Sequence, residues 1–411
     1  MPDEARIERR LEALWVIAKG PAGGAQRPAY SAPESAAMLM VAGWASEQGL
    51  DPGIDEHGNL WALPADWSGP IVTAGSHVDT VPDGGRYDGA LGTVLGLELA
   101  ADLCAGGDAA TGGARCGLLV CAAEEAPRFG AGTIGSRLLA GTLTASALPA
   151  IRDADGVGAA DALAQHLAAL ADDLPRVRPP LHRWCAHAEV HVAQRRALRT
   201  LGVVTSVASP RRFSVRIEGE AGHSGEVAMG ERRDALAAAA ELVLAVEAAA
   251  GAEPAQTVAT VGTLAVSPGA LSVIPGEARV GIDVRGTDLE SLARIDDAIR
   301  AAADDIAARR RVTAQVTLVR DGQPVAMDPE LVGAALAAAR KRAIPAVETW
   351  SGAGHDAQHL AALVPALLLF VPLHGGESHT PQEGAEIGEI VQATQVAADV
   401  LAGAAAGALG C

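Results

Sequence analysis

Aromatic side chains are scarce in this chain: three Phe, two Tyr and six Trp, 3% of 411 residues. Gly, Ala and Pro are abundant instead, a bias of composition that carries no functional information. Cysteine is also sparse. Cys104, Cys116, Cys121, Cys185 and Cys411 are an odd number without framework spacing. That excludes a disulfide scaffold and predicts reduced, mostly buried thiols in a cytoplasmic protein. Cys116 and Cys121 are five apart on a strand-like run and should face opposite ways, which argues against a metal pair. No apolar run reaches the ~20 residues of a membrane span. The amphipathic start, MPDEARIERRLEALW, lacks a signal-peptide core, so no membrane partner is expected. Basic residues are outnumbered, 32 Lys and Arg against 50 Asp and Glu, for a net charge of −18. Phosphate binding needs a basic face, so nucleic acid is excluded as a partner.

What is present suits a folded α/β protein. The chain is 49% hydrophobic and 20% charged, and its length predicts two domains. Apolar runs at 70–74 and 116–123 read as buried strands. Helical patterns occupy 33–48 and 91–104, and 145–180 reads as mostly helical. Alternation of this kind predicts a doubly wound, mainly parallel sheet with helices on both faces. The pattern changes near 208. Strands at 211–219, 257–266, 278–285 and 312–319 and helices at 231–250 and 288–309 follow the order β-α-β-β-α-β, the ferredoxin-like unit. After 322 the first pattern returns, with a strand at 366–371 and a closing helix from Glu389. The expected organisation is a catalytic domain of 1–207 and 323–411, with 208–322 inserted as an α+β domain.

The chemistry-bearing residues follow the apolar runs. GSHVDTVPDGGRYDGALG places His77, Asp79 and Asp88 on a Gly-rich loop just past a strand, where α/β proteins keep their chemistry. Glu124 and Glu125 follow GLLVCAA. Adjacent acids at a strand end repel and need a positive charge to offset them. One can ligate a metal while its neighbour acts as general base. His191 in AEVHVAQ and His379 in GGESHTPQE would each, alone, read as an ordinary satisfied histidine. With His77, Asp88 and Glu125 they make five ligands from segments of one sheet, enough for two ions with Asp88 between them. Imidazole and carboxylate together suit zinc, manganese, cobalt or nickel. Asp79 is the expected partner orienting the His77 ring.

These stretches, with GHSG, RRDA, VIPGEARVGIDVR and SGAGHDAQ, closely resemble the hydantoinase/carbamoylase branch of the M20 metallopeptidases, in order from about Tyr30 to Glu383. The branch includes N-carbamoyl-L-amino-acid hydrolase, β-ureidopropionase and allantoate amidohydrolase, and His191 is its marker. The resemblance implies a metal-dependent hydrolase cleaving the C–N bond of N-carbamoyl (ureido) amino acids or related linear amides. It implies His77, Asp88, Glu125, His191 and His379 as ligands of two divalent ions per subunit, zinc first. It implies Glu124 as general base and His223 as the donor that polarises the scissile carbonyl across a homodimer. Arg285 would clamp a substrate carboxylate, and Gln194 and His355 would touch the substrate. The inserted domain would be lid and dimerisation surface.

Three departures lie where substrate would be held. HVAQRR stands for the usual HIEQGP, with Ala193, Arg195 and Arg196 in place of Glu, Gly and Pro. Ser272 replaces Asn before VIP, and Glu226-Val227-Ala228 replaces Thr-Thr-Pro. An N-acyl-amino-acid amidase or dipeptidase on the same scaffold is the alternative activity. A metal-free binding protein predicts loss of a ligand or of the base, and all six residues are present. For Arg285 a surface ion pair with Asp283 is the competing reading, because the two share a strand face.

Overall fold

The computed structural model describes residues 2–65, 68–105, 115–194, 197–375 and 377–407. The expectations for Arg195, Arg196 and Cys411 lie outside them. The chain divides into two compact units, one of Met1–Thr205 with Ala326–Cys411, the other of Ser206–Val325.

The first unit is built on β1 (Leu50–Ile54), β2 (Leu60–Pro64), β3 (Ile71–Ala74), β4 (Arg115–Val120), β5 (Trp184–Val192) and β6 (Leu201–Val207). The second contributes β7 (Arg211–Glu218), β8 (Gly222–His223), β9 (Val258–Ser267), β10 (Val273–Ile274), β11 (Glu277–Arg285) and β12 (Thr313–Asp321). The chain then returns through β13 (Val325–Ala326), β14 (Ala346–Ser351) and β15 (Ala366–Val371). The large sheet has the order β1-β2-β4-β3-β5-β15-β6-β13, with β14 on β6. Its centre, β4-β3-β5-β15, is parallel throughout. The β1-β2-β4 flank and the β15-β6 pair are antiparallel, so only the middle of the sheet has the expected parallel character.

The middle is parallel because both faces are covered. β3 and β15 are buried at every position, and such strands read as unbroken apolar runs rather than alternations. Trp61, Leu119, Trp184 and Leu360 form one cluster against this sheet. Helix Ala32–Glu47 starts where the Ser31 side chain accepts from the Glu34 amide, with Pro33 in its first turn. Of 145–180, only 159–170 is α-helical, after a 3-10 turn at Ala145–Ala150. Among the described residues no helix is long and apolar enough to cross a membrane. Cys116 and Cys121 are free and buried, as expected of them.

The second unit is a four-stranded antiparallel sheet in the order β12-β7-β11-β9. Helices Ala235–Gly251 and Leu289–Arg310 supply Leu242, Val246, Ile295 and Ile299 to its core, which Phe213, Val215 and Ile282 complete. The first of these helices begins later than the apolar pattern indicates, because the Asp234 side chain accepts from Ala237 and fixes the N-cap there.

Two buried imidazoles give the fold an acid sensitivity. His166, bonded through Nδ1 to Ser35 Oγ at 2.8 Å, is pushed by burial down to about 4. Burial pushes His187 down to about 3. Both are neutral when folded and take protons near 6.5 when unfolded. Their contribution is complete above about 6.5 and is lost as pH falls towards 4, because the unfolded chain then binds the extra proton. Buried carboxylates act in the opposite sense, so the readout is a difference. The gap in unfolding free energy between wild type and His166→Gln should shrink by up to about 1.4 kcal/mol per pH unit below 6.5 in urea melts. A constant gap would mean that His166 is protonated in the fold.

Candidate active site

Four adjacent parallel strands end on one edge, and the acids and imidazoles lie at those ends. His77 and Asp88 follow β3, Glu124 and Glu125 follow β4, His191 is near the end of β5, and His379 follows β15. Glycine makes two of the approaches possible. At Gly75, φ 156°, a Cβ would sit 1.7 Å from the Leu119 carbonyl oxygen. At Gly89, φ 66°, it would lie 2.4 Å from the His77 ring.

Asp88 is the centre of the cluster. Its Oδ1 lies 3.0 Å from His191 Nε2 and 3.7 Å from His77 Nε2, and its Oδ2 lies 3.0 Å from His379 Nε2. His379 Nε2 is also 3.7 Å from Glu125 Oε1. Two groups result, His77-Asp88-His191 and Asp88-Glu125-His379, each with ligand atoms within 4.8 Å of one another. They share Asp88, one oxygen to each side. A further group, Glu189-His191-His355, shares His191, but both Glu189 oxygens already accept bonds, from Ser76 Oγ and the Ala357 amide.

The rings are aimed by their other nitrogens. His77 Nδ1 faces the Asp79 carbonyl at 3.1 Å and Asp79 Oδ1 at 3.4 Å. His191 Nδ1 faces the Val192 carbonyl at 2.9 Å. A carbonyl only accepts, so each Nδ1 carries a hydrogen, and Nε2, turned towards Asp88, is the nitrogen left to ligate a cation once it gives up its proton. Asp79 also receives the Glu124 amide at 3.1 Å and the Glu125 amide at 2.9 Å. The same carboxylate therefore orients one imidazole and the adjacent acid pair.

The electrostatics describe a site short of positive charge. Burial would push His77 down, but Glu124, Asp79 and Asp88 hold it well above the usual imidazole range. The hydrogen bond to Asp88 raises His379 to about 9. Burial and then Asp88 push Glu125 up to about 8. Burial also raises Glu124, whose neighbour Glu125 adds to the shift against the pull of His77. The Arg27 guanidinium, in a residue 1% exposed, donates to the backbone carbonyls of Val78 and Leu14. Glu125 Oε1 is buried without a hydrogen-bond partner. An orphaned carboxylate oxygen, three imidazole Nε2 atoms that can ligate on losing a proton, and a two-sided Asp88 are a donor set that fits divalent cations.

The remaining expected residues divide between the units. In the first, Gln194 Nε2 lies 3.5 Å from His379 Nε2. His355 packs its ring 4.6 Å from that of His191, with Nε2 3.0 Å from Ser351 Oγ. In the second, His223, Glu226 and Ser272 are exposed. Arg285 Nε donates to Asp283 Oδ2 at 2.8 Å, so the competing ion pair is present. Glu189, Glu383 and Glu34 are among the buried acids that were not anticipated. Glu189 precedes His191 by two on β5. Glu383 accepts from the Tyr87 and Asp88 amides at 2.7 and 3.0 Å and from Ser378 Oγ at 3.0 Å, tying the Asp88 loop to the His379 loop. Glu34 accepts from the Ala123 amide at 2.8 Å. The only signal for the first two was their presence in the quoted motifs.

Residues 73–403 match the peptidase family M20/M25/M40. The chain is 34% identical over 385 residues to an N-carbamoyl-L-amino acid amidohydrolase of Geobacillus stearothermophilus, covering 92% of this chain and 93% of that one. It is 32% identical to an allantoate amidohydrolase of Bacillus subtilis, over 88% of each chain. The crystal structure of a hydantoinase/carbamoylase-family amidase from Burkholderia phymatum superposes with a TM-score of 0.86 at 33% identity, covering 100% of this chain and 99% of that one. With the Asp88-centred cluster at the strand ends, these likenesses establish that the chain belongs to the M20 metallopeptidases, in their hydantoinase/carbamoylase branch.

Proposed function

We propose that the protein is a two-metal amidohydrolase of the cytoplasm that cleaves the C–N bond of N-carbamoyl amino acids or related linear amides. The observation that carries this reading is Asp88, with one oxygen turned to His191 and the other to His379, beside Glu124. His77, Asp88 and His191 would hold one ion and Asp88, Glu125 and His379 the other. When bound, such ions supply Lewis acidity, which eases deprotonation of water and stabilises developing negative charge.

The chain's own residues supply the rest. Glu124 takes a proton from the attacking water and delivers it to the nitrogen that leaves. Water adds to the carbamoyl carbon, the bond to the amino acid nitrogen breaks, and the carbamate released decomposes to ammonia and carbon dioxide. His223 Nδ1 accepts from the Gly225 amide at 3.0 Å, which leaves Nε2–H as a donor suited to an oxyanion. Arg285 offers a fork for the substrate carboxylate once it exchanges Asp283 for it. Gln194 and His355 are the proposed further contacts, and Ser272 replaces an amide with a hydroxyl in the substrate region.

The inserted unit would dimerise as a twofold pair. β9 is an edge strand of ten residues that pairs only with β11 among the described residues. Long exposed edges of this kind invite pairing with another chain, and Val258 and Leu264 on it are 46% and 43% exposed.

The test is a substrate screen on protein stripped by chelation and reloaded with zinc, manganese, cobalt or nickel. N-carbamoyl, N-formyl and N-acyl amino acids and allantoate are the candidates. Ammonia release from a carbamoyl or ureido substrate, only in reloaded protein, is the expected result. Release of a carboxylic acid from N-acyl substrates alone would make it an acylase. Full activity in metal-free protein would overturn the reading.

A further inference from the structure

Ser31-Ala32-Pro33-Glu34 has the S-x-x-E spacing of a capping box, in which the acid returns to the amide of its own N-cap. Ser31 plays its half, accepting from the Glu34 amide at 3.5 Å. Glu34 does not. The Ser31 amide donates to the Pro28 carbonyl at 3.1 Å instead. The Glu34 carboxylate, with 0% exposure, accepts from the amides of Tyr30 and of Ala123, the latter 89 residues away.

The two amides have something in common. Tyr30 and Ala123 are non-glycine residues in the left-handed region, with φ of 50° and 54°. Side chains adopt that conformation at a cost and keep it only where the surroundings over-determine it. Ala123 directly precedes Glu124. Its carbonyl accepts from Ile134 at 2.9 Å, and the next two amides are held by Asp79. Asp79 also contacts His77, so its several effects cannot be separated by substitution. Among the described residues the Glu34 carboxylate hydrogen-bonds to the two turns and not to His77, which it meets only through charge.

We propose that Glu34 is a positioning residue for the reaction: it holds Ala123 in the left-handed turn that aims Glu124 into the cluster. This rests on Glu124 being the proton carrier. Glu34→Gln keeps the shape and one acceptor oxygen, and sets an amide NH₂ against one of the two backbone N–H groups.

The experiment measures turnover of an N-carbamoyl amino acid together with hydrogen exchange across residues 122–125. Glu34→Gln should lower kcat about 10²-fold, the scale for a misplaced catalytic group, and should change KM by less than about twofold. Exchange at 122–125 should rise. In a Glu124→Gln background the same substitution should raise exchange again but change the residual rate by less than about twofold, because the group it positions is gone. Unchanged exchange, unchanged kcat, or equal fractional losses in both backgrounds would each overturn the proposal. A Glu124→Gln enzyme as active as wild type would instead strike down the assignment of Glu124, while exchange still decides whether the clamp exists. If Glu34→Gln does not fold, Glu34→Asp, which keeps the carboxyl group but reaches only one amide, takes the same readouts.

Discussion

Glu124→Gln should leave the fold and the bound metal intact and lower turnover by ~10²–10⁴, the range for removal of a general base. The expectation follows from how the two neighbouring acids are held. Their amides are fixed alike, by the two oxygens of Asp79. Their side chains face different partners. Glu124 Oε2 lies 3.8 Å from His77 Nε2, beside the cluster and free to exchange a proton. Glu125 Oε1 lies 3.7 Å from His379 Nε2 and has no hydrogen bond of its own, as a ligand position requires. Glu125→Gln should therefore lose metal on dialysis and regain part of its rate in excess metal. Glu124→Gln should retain metal and regain nothing. Metal content by elemental analysis, read against kcat, separates the two. Swapped phenotypes would invert the division of labour.

Three of the ligands were legible because each follows an apolar run. His77, Glu125 and His379 stand just past β3, β4 and β15, and a wholly buried strand cannot hide its apolar continuity. Their convergence was only partly legible. It depends on β4, β3, β5 and β15 being neighbours in the sheet, and adjacency is set by packing between segments as distant as Ile71 and Val371. The β1-β2 hairpin was missed because Pro52 and Gly53 interrupt the alternation that marks a strand. The supporting acids were missed for another reason. A buried Glu34 or Glu383 differs in sequence from an exposed one in nothing but context, and S-x-x-E has a sufficient local explanation. Arg285 shows the opposite case: two readings were visible, and the ion pair with Asp283 is the one formed without substrate.

The most demanding expectation concerns His223. It lies in the inserted unit, whereas every candidate ligand lies in the other unit. If two insertions pair, His223 of one subunit completes the site of the second. Its loss should then cost roughly 10²–10³ in turnover, as for removal of one oxyanion donor. The competing account is local: the Gly225 amide bonds Nδ1, so the ring closes its own turn, and His223→Ala would cost stability but little rate. Subunit mixing distinguishes them. His223→Ala and Glu124→Gln should each be nearly inactive alone. In a mixed dimer, one site has its own Glu124 and a borrowed His223, and the other has neither. Equal amounts mixed at random place about half the dimers in the mixed class, each with one working site of two, so activity should recover to roughly a quarter of wild type. Mixed dimers that form, as shown by mass spectrometry of differently tagged subunits, and yet stay inactive would mean that His223 acts within its own chain or outside the chemistry.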